Sequence, residues 1–105
     1  MKTYQVIFDV EALADAQTAA AFIATTAPLN AARWYAKLTK AISTLATFPK
    51  RCPKAPEAAT LNMDLRQLIF CNYRIIFIVD DDTVHIVHIR HAARLPLGQD
   101  PPDDD

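Results

Sequence analysis

The hydrophobic and polar positions of this chain change period several times, and each change marks an element. Thr3 to Phe8 is a short apolar-rich run of strand length. Asp9 follows, a residue that caps helices by accepting from their first free amides. Leu13, Ala16, Ala20 and Ile23 then recur at helical spacing until Thr25-Thr26-Ala27-Pro28 interrupts them. Asn30 is placed to cap a second helix, in which Trp34, Leu38, Ala41, Leu45 and Phe48 form one apolar stripe and Arg33, Lys37 and Lys40 turn away from it. Pro49 ends that helix, because a proline cannot supply the next amide. Two helices with a short link form a hairpin suited to covering one face of a sheet.

Beyond Pro49 the pattern becomes that of loops and strands. Pro49 to Glu57 contains three prolines together with Lys50, Arg51 and Lys54, and resists both helix and strand. Met63 to Phe70 reads as a strand with Asp64, Arg66 and Gln67 as its polar positions, and Cys71-Asn72 turns into a second strand that is almost wholly apolar from Ile75 to Val79. An unbroken apolar strand is one covered on both faces, hence central in its sheet. Asp80-Asp81-Asp82 then makes a tight turn, since aspartate tolerates left-handed backbone angles, and Thr83 to Arg94 returns as the last strand. The turn is preferred to a divalent-cation site, which needs ligands converging from separated positions. The predicted order is β-α-α-β-β-β, an α+β domain over residues 1–97 followed by an acidic, disordered tail over 98–105.

The polar residues of the last hairpin carry the candidate chemistry. Period two puts His88 and Arg90 on one face of the final strand and His85 and His91 on the other. Arg74, in the preceding strand, joins one set or the other according to the turn, because a one-residue slip moves every side chain to the opposite face. A two-residue loop places Arg74 with His85 and His91. A three-residue loop, which is preferred, gathers Arg74, His88 and Arg90 into one polar patch and leaves Tyr73, Ile75, Phe77, Val87 and Ile89 for the core.

Composition narrows the class. The 105 residues are 51% hydrophobic and hold one glycine, which suits a single core and excludes glycine-rich phosphate loops. The formal charge of -1 hides an uneven distribution: residues 29–99 carry ten basic and five acidic side chains, while four aspartates fall in residues 100–105. A mildly basic body points to an anionic partner. Half of the six arginines and all three histidines lie between Arg74 and Arg94, a cationic strand surface suited to phosphate or carboxylate groups. Lys50, Arg51 and Lys54 add a basic lip. Cys52 and Cys71 form no disulfide framework or metal-ligand pattern, and no apolar leader or membrane span is visible, so a cytoplasmic protein without metal or cofactor is expected. The cations around Cys52 favour its thiolate, but no base accompanies it.

Taken together, the Trp34 to Pro49 helix, the loop from Phe48 to Glu57, Leu65-Arg66-Gln67-Leu68, Tyr73-Arg74-Ile75-Ile76-Phe77 and the closing run from His88 to Arg94 resemble the RelE/ParE superfamily of toxins from type II toxin-antitoxin systems, also called plasmid stabilisation proteins. The resemblance implies a twisted antiparallel sheet with a helical hairpin on one face, and a cognate antitoxin that covers the working surface in a hetero-oligomer. It implies one of two activities. RelE-like members cut ribosome-bound mRNA, for which Arg74, His88, Arg90, His91 and Arg94 would be the catalytic candidates. ParE-like members bind DNA gyrase, for which Lys50, Arg51, Lys54, Arg66, Arg74, Arg90 and Arg94 would serve contacts to target or antitoxin. No tyrosine follows Tyr73 and the C-terminal end is acidic, which departs from the RelE pattern and favours the ParE-like reading over a nuclease or an inactive antitoxin-binding module.

Overall fold

The computed structural model describes residues 2–93. Among them the order is β1 (Gln5–Phe8), α1 (Val10–Ala24), α2 (Pro28–Ser43), α3 (Glu57–Thr60), β2 (Leu65–Phe70), β3 (Tyr73–Asp80) and β4 (Thr83–His91), with single 3-10 turns at Thr44–Ala46 and Pro49–Arg51. The expected α+β frame is present, with α3 a one-turn addition at the end of the proline-rich loop. Arg94 and the acidic tail lie outside the described residues.

The strands stand in the order β1-β4-β3-β2. β2, β3 and β4 form an antiparallel meander, but β1 runs parallel to β4, with Gln5 opposite Thr83 and Phe8 opposite Ile86. The sheet is therefore mixed rather than antiparallel throughout. Its outer edges explain the choice. The edge of β2 is already occupied by the proline-rich loop, where the Gln67 amide donates to the Pro53 carbonyl at 3.1 Å and the Ala55 amide to the Leu65 carbonyl at 2.8 Å. β4 is the edge left for β1, and the helical hairpin is long enough for a parallel return.

Both helices begin differently from the pattern. Asp9 precedes α1 but its carboxylate makes no cap bond. The face of α1 that meets the core is Ala12, Ala16 and Ala19, one step round from the expected stripe, so the helix approaches the sheet closely on small side chains. Val10, 85% exposed, and Phe22, 75% exposed, stand outside it. Pro28 opens α2 instead of separating it from α1, because its missing amide is one that the first turn leaves unpaired in any case. Leu38, Leu45 and the flanking Trp34 and Ala41 face the core as expected. Phe48 does not: it is 65% exposed and sits in the left-handed region at φ 49°, ψ 54°, which costs a non-glycine residue roughly 1–2 kcal/mol.

Between the helices and the sheet lies the main core, centred on Leu38, Leu45, Ile75, Phe77, Val84, Ile86 and Ile89. A second, smaller core on the opposite face joins Ile76 and Leu65 to Ala55 of the loop. β3 is thus buried on both sides, as its unbroken apolar run predicts.

The hairpin register combines features of both predicted alternatives. The loop has two residues, Asp81-Asp82, with Asp81 at φ 51°. A bulge then shifts the register between Ile76 and Phe77: Phe77 faces Ile86, Ile76 faces His88, and Val87 is the extra residue. The shift brings Arg74 directly opposite Arg90 although the loop is the shorter one. It also sends Val87 to the smaller core instead of the helix face, while Ile86 and Ile89 both reach the main core.

Candidate functional site

Arg74, on β3, points to the sheet face away from the helical hairpin, where α3 covers it. Its Nη1 and Nη2 donate to Glu57 Oε1 and Oε2 at 3.1 and 2.7 Å, and Nη1 also reaches Gln67 Oε1 at 2.9 Å. Arg74 is 7% exposed and Glu57 0%. This is a two-pronged guanidinium-carboxylate pair, the geometry that makes arginine specific for a planar anion. Glu57 therefore occupies the position that a bound phosphate or carboxylate would take. Sequence reasoning named Glu57 only as the end of a loop; its signal was that it is the sole carboxylate in the otherwise cationic stretch from Lys50. Arg90 is buried beside Arg74 on the neighbouring strand.

His88 turns toward α1. Its Nδ1 lies 3.2 Å from Asp15 Oδ2 and its Nε2 3.1 Å from Glu11 Oε2. Glu11 and Asp15 are four residues apart, so successive turns of one helix present both carboxylates to one imidazole. Asp15 Oδ2 also accepts the Ile89 amide at 3.0 Å, next to the bulge. His85 faces Asp9 Oδ1 at 3.5 Å, and His91 packs edge-on against Tyr73 with ring centres 5.2 Å apart. The three histidines thus serve three separate neighbourhoods.

The basic loop is divided in the same way. Arg51 folds back on the end of the helical hairpin, donating through Nη1 to the Thr47 carbonyl at 2.7 Å and the Phe48 carbonyl at 3.0 Å, and through Nη2 to Thr44 Oγ1 at 3.1 Å. It closes a helix end that would otherwise leave carbonyls open. Arg66 holds the loop from the sheet side, with Nη1 2.8 Å from the Cys52 carbonyl. Lys54 and Asp64 make a long, exposed pair at 3.9 Å, of the kind that contributes little. The Cys52 thiol is pushed above its ordinary range by burial, which outweighs the opposing pull of Arg51 and Arg66, so those cations do not produce a thiolate.

The water-accessible patch expected from Arg74, His88 and Arg90 is consequently not assembled. Arg74 and Arg90 do stand together, but under cover, and the His88 imidazole is directed to α1. No group of three or more His, Cys, Asp or Glu side chains among the described residues is arranged to hold a metal ion. No helix there is long and apolar enough to cross a membrane.

The sequence profile described as the ParE toxin of the type II toxin-antitoxin system, parDE, matches residues 6–96. The chain belongs to the ParE toxin family. A relative in Caulobacter vibrioides named Toxin RelE2 is 41% identical over 92 residues, covering 87% of this chain and 98% of its own length. A chain of the chromosomal ParDE toxin-antitoxin system from P. aeruginosa superposes with a TM-score of 0.70 at 14% identity, covering 85% of this chain and 96% of that one, and so shares the fold. The matched region begins at the second residue of β1 and ends three residues past the last described position, so the profile spans the helical hairpin and all of the sheet but Gln5. Membership of a toxin-antitoxin family supplies the partner class, an antitoxin.

Proposed function

We propose that this ParE-family toxin arrests growth by binding a cellular protein such as DNA gyrase, without cutting RNA itself, and that a cognate antitoxin neutralises it. The observation that carries this reading is the Arg74–Glu57 pair. An endonuclease needs cations and a proton-transfer group converging on the scissile phosphate. Here the strand arginine is engaged with a buried carboxylate at 2.7 Å, and His88, the histidine grouped with it in the sequence, is engaged with Asp15 and Glu11. Freeing Arg74 for a phosphate would break a buried ion pair, a step that costs about 3–5 kcal/mol. Contact residues for a protein target are more readily supplied, by Lys50 and Lys54 on the loop.

The names of the relatives straddle both branches, which makes a direct comparison of activities the appropriate test. Purified toxin is added to a gyrase supercoiling reaction and, separately, to a translation extract whose mRNA is mapped by primer extension. The expected result is inhibited supercoiling with trapped, cleaved DNA and no new mRNA ends. New ends at defined codons that vanish in Arg74→Ala, with gyrase unaffected, would overturn the proposal and assign the chain to the nuclease branch. Growth arrest on expression, relieved by the antitoxin, checks the toxin function common to both.

A further inference from the structure

At the hairpin-tip end of the molecule, Lys2, Tyr4, Phe48, Pro49, Lys50 and Arg51 line a cleft of about 790 Å³. We propose that this cleft binds an acidic peptide segment through an aliphatic side chain seated by the Tyr4 and Phe48 rings, with a flanking carboxylate on Lys50.

Three observations carry the inference. The first is the cost at which Phe48 is displayed: a bulky residue held at φ 49° and 65% exposed gains little from burial in the free protein. Backbone strain of that kind persists where the surroundings impose it, and it gathers at binding sites. The second is what imposes it. The Arg51 guanidinium ties the Thr47 and Phe48 carbonyls together, and buried Pro49 fixes the next residue, so the ring is presented by a rigid loop. A site prepared in this way loses little freedom when a ligand arrives. The third is charge. The Lys2 ammonium lies 4.9 Å from the centre of the Tyr4 ring and 3.0 Å from Asp82 Oδ1, while Lys50 carries no ion pair among the described residues.

The same charges select among polyanions. A nucleic-acid strand needs a cation for most of its phosphates. In this cleft Arg51 is spent on carbonyls, and the Lys2 side is bordered by the Asp82 carboxylate at 3.0 Å. One free ammonium beside two rings matches a segment with an isolated carboxylate next to an apolar side chain. The site does not depend on which target the toxin takes.

The test uses the full chain and two synthetic probes, acetyl-Ser-Asp-Leu-Ser-Ser-amide and its Leu-to-Ala counterpart, titrated while the backbone amide signals are followed by NMR. Saturable shifts confined to the amides of residues 2–4, 48, 50 and 51 are expected, with binding about tenfold weaker for the alanine probe. Phe48→Gly separates binding from folding, because glycine adopts the left-handed angles without a Cβ clash. That variant is expected to melt no lower than the parent and to lose the leucine preference, and Lys50→Glu to favour a probe with lysine in place of the aspartate. Equal binding of both probes, absence of saturable shifts, unchanged preference in Phe48→Gly, or tighter binding of oligo-thymidylate at these amides would each overturn the proposal.

Discussion

Residue by residue, the strongest single dependence is that of Arg74 and Glu57 on each other. Glu57→Ala leaves a guanidinium under α3 without its carboxylate, and a loss of about 3–5 kcal/mol is expected in urea unfolding. Replacing both together by Glu57→Leu and Arg74→Met removes the unpaired charge along with the pair, so the double variant is expected to recover most of that loss. A double variant no more stable than Glu57→Ala would show that the pair also orders its surroundings in some other way. The cysteines offer a second check. Cys71 is exposed at φ 51° in the β2–β3 turn, while Cys52 is buried with its thiol pushed up. Reaction with a chromogenic disulfide at pH 8 is expected in two well-separated phases, the fast one absent in Cys71→Ser.

Elements add a constraint that individual residues do not show. α1 approaches the sheet on Ala12, Ala16 and Ala19, so Ala16→Leu is expected to cost about 1–3 kcal/mol by overpacking, whereas Phe22→Ser, on the outer side, is expected to change stability by no more than about 0.5 kcal/mol. The same helix is fastened to β4 by Asp15, whose carboxylate takes the Ile89 amide and faces His88. Asp15→Ala is expected to cost about 1–3 kcal/mol and to accelerate hydrogen exchange at Ile89. This is also where the limits of legibility lie. Period and breakers were enough for the order of elements, the helical hairpin and the centrality of β3. They could not supply the bulge at Val87, because nothing in the run Val84-His85-Ile86-Val87-His88-Ile89 distinguishes an extra residue from regular alternation; only the demand that both Ile86 and Ile89 reach one core does. Nor could they foresee that Asp9 holds the cap position without a cap bond from its carboxylate or that Pro28 begins α2.

At the scale of the whole molecule, the family and the architecture were readable because the motifs lie in order along most of the chain, matching the 6–96 span of the ParE profile. The candidate site was less so. Patterns report which face a side chain takes, whereas the availability of Arg74, Arg66 and Arg51 depends on carbonyls and carboxylates that the loop between Pro49 and Glu57 folds over them. In a chain that is basic through its body, a count of cations overstates how many face a partner.

One consequence follows from the pairing of the first strand with the last. Among the described residues, the strand partner of Gln5 to Phe8 is Thr83 to Ile86. During synthesis β1 leaves the ribosome long before β4 exists, and its side chains and edge amides wait without a template until Thr83 to His91 clears the exit tunnel. Such a distant contact is slow to form and keeps the nascent species incomplete to the end. The sheet is therefore closed from its last strand backwards, although its first strand is the earliest part of the fold to be made.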